Sequence, residues 1–304
     1  MSDARQASVC VGKVGRRGIA ARRRHGLACV QSPPAILYGP QGWDEVATQV
    51  SPGGGMEDAI PTWRNHGTLG GAYDLAQATA AAQPYIWHQG YNDEAWAFFY
   101  EGTTPGNDEP PNPGAFQFTR YMTGEFTLTG QSGLVMAVVM SRRQDYGASV
   151  IFNANDRGAG SFAEYLRFFY DATGGLRWGL YRYNDTPDLV AWRSTAWSLD
   201  ADTPHVVELE SDGSDYTLLN EGSEDTLATW LGSGGGGDWW GDVPSCTHFV
   251  LGQDRVDNAA DPLPFVAHHH QGAIQFLLIW EDEIPSDGIR ATLRSFFARS
   301  SGAA

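Results

Sequence analysis

The sequence predicts an all-β chain: a two-sheet antiparallel sandwich with an extended N-terminal arm and one short C-terminal helix. Three observations predict it. Side chains alternate in character with period two over many short stretches, clusters of Gly, Asp, Asn and Pro separate those stretches, and a single segment has helical spacing.

The alternation is clearest where Tyr165, Arg167 and Phe169 interleave with Leu166, Phe168 and Tyr170, and again where Leu176, Trp178 and Leu180 interleave with Arg177, Gly179 and Tyr181. Asp171-Ala172-Thr173-Gly174-Gly175 lies between them. Its glycines can take positive φ, so the two stretches read as a β-hairpin. Further strands are expected at 134–140, 149–152, 189–192, 205–210, 216–220, 248–252 and 273–281, with Asp212-Gly213-Ser214-Asp215 as a second hairpin turn. The helix starts after Ser286, a residue able to cap it. Ile289, Leu293, Phe296 and Phe297 fall on one face, Arg290, Arg294 and Arg299 on others, and the apolar face is expected to dock on a sheet.

With 304 residues, 42% of them hydrophobic and 18% charged, the chain can bury a substantial core. Its longest apolar runs are too short to cross a bilayer, and no segment reads as a secretory leader. Charge is unevenly placed. Residues 1–30 carry seven basic side chains against one acid, leaving thirteen basic against thirty-five acidic side chains in the rest. So acidic a body repels nucleic acid and other polyanions. The basic stretch, with Arg16, Arg17, Arg22, Arg23 and Arg24, suits a phosphate backbone, an anionic lipid or an acidic protein surface, and equally suits a solvated end. Gly, Pro and Ser recur through residues 31–55, so residues 1–60 are read as an arm and connector, and 61–304 as the sandwich with its helix. The three cysteines, Cys10, Cys29 and Cys246, are too few and too widely spaced for a disulfide framework or a zinc cluster; a Cys10–Cys29 bridge is the one pairing left open.

Five motifs, in order, resemble the concanavalin A-like lectin/glucanase superfamily in its laminin-G-like form. They are Trp63-Arg64-Asn65-His66-Gly67 with Gly70-Gly71-Ala72-Tyr73-Asp74-Leu75 and Pro84-Tyr85; the stretch opening at Phe126-Thr127; the hairpin of His205-Val206-Val207-Glu208-Leu209-Glu210-Ser211-Asp212-Gly213; Leu251-Gly252 with Gln271-Gly272-Ala273-Ile274-Gln275-Phe276-Leu277-Leu278-Ile279-Trp280; and the helix after Ile284-Pro285-Ser286. The resemblance implies a jelly-roll sandwich over most of the chain. It narrows function only in part, because that superfamily holds lectins, adhesion modules, glycosidases and phage virion modules.

A glycosidase needs two carboxylates flanking the sugar, and Glu208 with Glu210 is the nearest pair. The glucanase pattern E-x-D-x-x-E is absent, so these acids, like Glu281-Asp282-Glu283, are read as solvent-facing, and no catalytic residue is assigned. Calcium is the one cofactor the residues suggest, and would suit the oxygens of Asp254, Asp257, Asn258 and Asp261, or of Asn153, Asn155 and Asp156; ordinary turn chemistry is the competing reading. His268-His269-His270 is read as a polar loop, since consecutive side chains on an extended chain point apart. The single lysine, Lys13, removes lysine chemistry from the body. Aromatic rings on loops can stack on sugar faces, and Trp230, Trp239 and Trp240 around the 232–237 glycine run, with Trp87, Tyr91 and Trp96, are the candidates.

The reading that follows is a non-enzymatic accessory protein of a virion, decorating a capsid or associated with a tail. Its arm would bind other virion proteins, its sandwich would project from the virion surface, and it would form a homo-oligomer. The alternative is an extracellular or cell-surface adhesin for host polysaccharide, and a glycoside hydrolase is the third reading.

Overall fold

Every side chain from Leu134 to Met140 is buried. A strand achieves that only when both of its faces are covered. The computed structural model describes residues 9–14, 24–30, 32–50, 56–87, 95–99, 120–141, 149–155, 164–170, 176–182, 189–194, 203–224, 229–231, 239–253, 270 and 272–301. The N-terminal strands are β1 Val9–Val14, β2 Arg24–Val30, β3 Ile36–Tyr38, β4 Trp43–Val50, β5 Met56–Trp63, β6 Leu75–Ala76, β7 Tyr85–Trp87, β8 Trp96–Phe98 and β9 Met122–Glu125. The central ones are β10 Gly133–Ser141, β11 Ser149–Asn155, β12 Glu164–Tyr170, β13 Leu176–Arg182 and β14 Leu189–Ser194. After them come β15 Pro204–Ser211, β16 Tyr216–Asn220, β17 Ser223–Glu224, β18 Thr229–Leu231, β19 His248–Leu251, β20 Gly272–Glu281 and the helix α1 Asp287–Ser301.

All pairings are antiparallel. In the first sheet β10 lies between β15 and β20, β16 continues beyond β15, and β3 and β8 share the far edge of β20. The second sheet runs β9, β19, β11, β12, β13, β14, β18. Hydrogen bonding passes between the two through β8, β7, β5 and β6. Val135, Ala137, Val139, Leu209 and Ile279 of the first sheet share one apolar cluster with Phe152, Ala154, Phe168, Phe249 and Leu251 of the second, which makes the molecule a two-layer sandwich. The alternate residues Leu134, Met136 and Val138 join Phe276, Leu278 and Trp280 in a second cluster, closed by Leu293, Phe296 and Phe297 of α1. The helix therefore roofs the outer face of the first sheet, as its spacing predicts. Each of those three buried helix side chains contributes about 1.5–3 kcal/mol.

The expected all-β class and C-terminal helix are what the structure shows, and the β12–β13 and β15–β16 hairpins pair as the alternation requires. Asp212 organises the second of these turns, its Oδ1 accepting from the backbone of Ser214 and Asp215 at 2.7 and 2.8 Å. The arm boundary needs correction. Residue 60 lies inside β5, and β3, read from sequence as connector, is a wholly buried strand on the edge of β20. Residues 126–132 join β9 to β10, so the Phe126-Thr127 phrase precedes its strand instead of opening it.

The first of the five motifs has a structural explanation. Asn65 Oδ1 accepts from the backbone N–H groups of Leu37 and Gly67, each at 2.8 Å, and its Nδ2 donates to the Gly70 carbonyl at 3.1 Å. Asp74 Oδ1 accepts from the Asn65 N–H at 2.7 Å. A Cβ on Gly67 would stand 2.2 Å from the Ala35 carbonyl oxygen, so the chain can pass there only as glycine. Trp63, wholly buried, donates from Nε1 to the Gly39 carbonyl at 2.9 Å. These residues fasten β3 to the turn after β5.

Candidate functional site

The tryptophans expected on an exposed loop are not there. Trp239 and Trp240 are 0% and 2% exposed. Trp240 stacks on Phe152 with ring centroids 5.5 Å apart, so the pair belongs to the core between the sheets, where aromatic rings do most for packing. Trp96 is likewise buried, in the cluster under α1. Trp87 and Trp230 have their backbones in β7 and β18, while their side chains, together with Tyr91, lie outside the described residues.

The two carboxylates weighed for hydrolysis are also placed differently from the expectation. Val206, Glu208 and Glu210 alternate onto the outer face of β15, which α1 covers. Glu208 is wholly buried; Arg294 donates to it from Nε at 2.5 Å and from Nη2 at 2.9 Å. Glu210 accepts from Arg290 Nη1 at 2.5 Å, and Arg290 also reaches Asp287 at 2.5 Å. Burial works against the Arg290 charge, but its bonds to Asp287 and Glu210 and the nearby Glu208 outweigh that and hold its pKa above the ordinary value. These acids are helix anchors, not solvent-facing groups. The arginines on the flanks of the helical stripe meet the acids that the strand alternation presents to them.

Glu281 and Asp282 are structural as well: Glu281 Oε1 accepts from the Thr129 and Gly130 N–H groups at 2.5 and 2.8 Å, and Asp282 Oδ1 from Gln131 at 2.7 Å. Of the histidine triplet, His270 is described. It is fully buried and meets Phe99 edge-on at 6.0 Å. Asp156, Asp254, Asp257, Asn258, Asp261, Arg16, Arg17, Arg22 and Arg23 lie outside the described residues, whereas Arg24 opens β2. Among the described residues no group of three or more His, Cys, Asp or Glu is placed to hold a metal ion.

The outer face of the second sheet is different in kind. Its strands turn Phe152, Ala154, Phe168, Phe249 and Leu251 inward, and the residues between them include the polar Asn153, Asn155 and Arg167 beside the apolar Val250 and Phe169. Register aligns two rows across the sheet. One runs Glu125, His248, Asn155, Tyr165, Tyr181; the other runs Thr123, Val250, Asn153, Arg167, Gly179, Trp192. His248 Nδ1 and Glu125 Oε1 are hydrogen-bonded at 2.8 Å. Asn155 Nδ2 donates to Asn153 Oδ1 at 2.6 Å. The Arg167 guanidinium sits 4.4 Å from the centroid of the Phe169 ring, a cation–π contact.

Exposure grades across these rows. The Glu125 side chain is 60% exposed, Thr123 and Arg167 are half-buried, and Asn153, Asn155 and His248 are buried. The buried amides and imidazole lie beside an exposed carboxylate and the half-buried Thr123 and Arg167. The exposed and half-buried groups, Glu125, Thr123 and Arg167, supply an acceptor and donors at strand spacing, as a ligand rich in hydroxyls requires. Asn153 and Asn155 were singled out in the sequence as oxygen donors for calcium; the structure brings them together as mutual hydrogen-bond partners. Glu125, His248 and Arg167 were missed. Their signal is weak in one dimension, since only the pairing of β9, β19, β11 and β12 sets them side by side.

No protein-family model matches the chain, and no curated protein matches its sequence. Solved structures do resemble it. The CBM40 domain of the Ruminococcus gnavus IT-sialidase, bound to alpha2,3 sialyllactose, is 15% identical over 54% of this chain and 84% of that one, with a TM-score of 0.39. The heptameric SAP-like pentraxin of Limulus polyphemus is 16% identical over 66% and 80%, with a TM-score of 0.40. Domains LG4-5 of the mouse laminin alpha1 chain are 13% identical over 52%, at a TM-score of 0.39, and the match spans 38% of that chain. Likenesses at this level decide nothing about what this chain binds. Among its described residues no helix is long and apolar enough to cross a membrane.

Proposed function

We propose that the chain is a non-enzymatic, lectin-like binding module that holds a polysaccharide against the outer face of its second sheet. One observation carries this reading: the two outer faces of the sandwich are built differently. The first is roofed by an apolar helix, whereas the second carries Glu125, His248, Asn155, Asn153 and Arg167 in adjoining register rows. A sheet face needs only apolar side chains and a cover to be stable, and buried polar side chains cost free energy unless hydrogen-bonded. A set of amides, an imidazole and a guanidinium on such a face suits neighbouring sugar hydroxyls. On this reading the module works outside the cell or at a cell surface, where polysaccharides are displayed.

The test is binding of the full chain to a panel of immobilised polysaccharides and arrayed glycans. Binding is expected to fall at least tenfold in Arg167→Ala and in Asn155→Ala with Asn153→Ala, the folds remaining intact by circular dichroism. Undiminished binding in all of these variants overturns the site. Release of reducing ends from a bound polysaccharide, abolished by Glu125→Gln, overturns the non-enzymatic assignment.

A second reading is favoured by the charge split between residues 1–30 and the acidic remainder. A cationic leader on an acidic module suits attachment to a larger acidic assembly, and a virion capsid or tail displaying the sandwich is the reading proposed from it. Deleting residues 1–30 is expected to remove the chain from purified particles, as counted by mass spectrometry. An unchanged share overturns it.

A further inference from the structure

We propose that Cys10 and Cys29 form a disulfide that staples the N-terminal hairpin and closes the arginine-rich segment between them into a covalent loop. The three cysteines of the chain allow three pairings, and the fold removes two of them. Cys246 is 4% exposed within the core between the sheets, its Sγ 3.6 Å from the Ala154 carbonyl oxygen. A partner on the separate β1–β2 ribbon has no route to it without opening the sandwich.

The remaining pair is aligned by register. Antiparallel β1 and β2 place Val9 opposite Val30, Cys10 opposite Cys29, Val11 opposite Ala28 and Gly12 opposite Leu27, and the only irregularity falls beyond Gly12. Directly opposed residues in an antiparallel pair have Cα atoms about 4.5–5.5 Å apart, inside the range of about 4.4–6.8 Å that disulfides span. They also share a face of the ribbon. A slip of one residue would set Cys10 against Ala28 or Val30 and put the two cysteine positions on opposite faces, so the match depends on this register.

Two physical considerations favour closure. Among the described residues β1 and β2 pair as strands only with each other, packing beside residues 40–42 and α1, and a two-stranded pairing adds little stability of its own. Lys13, Arg16, Arg17, Arg22, Arg23 and Arg24 all lie between the two cysteines in sequence. Positive charge close to a thiol favours its thiolate, the species that exchanges with disulfides. The oxidant is a small-molecule disulfide. One protein thiolate attacks it, forming a mixed disulfide and expelling one small thiolate; the second protein thiolate then displaces the other. Two protein S–H bonds and one small S–S bond are lost, one protein S–S bond forms, and the two electrons and two protons end on two molecules of small thiol.

The experiment uses the full chain, incubated with oxidised glutathione, then denatured, alkylated and weighed. The expected product is lighter by two hydrogens than the reduced chain before alkylation, and afterwards carries one alkylated cysteine where the reduced chain carries three. Cleavage after arginine cuts between Cys10 and Cys29, so their two peptides should travel as one species that separates on reduction. Cys29→Ser should instead leave Cys10 alkylatable or joined to glutathione. Three alkylated cysteines after oxidation, a bridge that includes Cys246, or separate glutathione adducts on Cys10 and Cys29 would each overturn the proposal.

Discussion

Arg294 clasps Glu208 through both of its carboxylate oxygens, at 2.5 and 2.9 Å, in a site from which Glu208 is wholly withdrawn from solvent. Fitting a buried charge pair of this kind under an amphipathic helix fixes where the helix lands. Gly222, at φ +80°, lets the guanidinium through: a Cβ there would meet Arg294 Nη1 at 2.8 Å. Burying two charges costs desolvation, and removing one partner leaves the other uncompensated.

Glu208→Gln is therefore expected to destabilise the fold by about 3–5 kcal/mol, read from urea unfolding. Replacing both partners, as Glu208→Leu with Arg294→Met, should recover most of that loss. Glycan binding by the folded protein should not change in either variant, since the pair lies on the opposite side of the sandwich from the polar face. A double variant no more stable than the single one would contradict the account.

Glu221 makes stability depend on pH. Burial raises its pKa above the ordinary 4.5, the Glu208 charge raises it further, and the Val206 N–H bond and Arg294 oppose the rise. A carboxyl raised in this way holds its proton more tightly in the folded state than in the unfolded chain. The Glu221 contribution to stability is thus fullest below 4.5 and is lost as pH climbs through the folded value. Glu221→Gln keeps an oxygen to accept from Val206 and removes that decline. Melting temperatures recorded from about pH 4 to about pH 8 should fall more steeply for the parent than for the variant. Parallel curves would show that Glu221 is not the group responsible.

Trp240→Ala should behave as a folding mutant. The ring is 2% exposed and packs on Phe152, so its removal should cost about 3–5 kcal/mol, with lower yield and melting temperature. Binding measured per folded molecule should match the parent. Selective loss of glycan binding at full stability would return the site to the 239–240 turn.

Asn65→Ala deprives the Leu37 and Gly67 N–H groups of their acceptor, at about 1–3 kcal/mol for each buried donor left unpaired. Hydrogen exchange should quicken at both amides, while amides in β12 and β19 keep their protection. Unchanged exchange at Leu37 and Gly67 would mean that the turn holds without the asparagine.

Local order was legible in the sequence because its signals are local. Period-two alternation gave β12, β13, β15 and β16, the Asp212 turn followed from its side-chain oxygen, and the stripe Ile289, Leu293, Phe296, Phe297 marked the face that α1 buries. What pairing decides was not legible. Glu208 and Glu210 look like surface acids until α1 brings Arg294 and Arg290 above them. Trp239 and Trp240 look like loop aromatics until Phe152 lies beside them. Glu125, His248, Asn155 and Arg167 are spread over more than a hundred residues and become neighbours only when β9, β19, β11 and β12 align. Alternation tells which side chains share a face of one strand, but the partner strand and its register are chosen by the free energy of the whole buried core, to which every strand contributes at once.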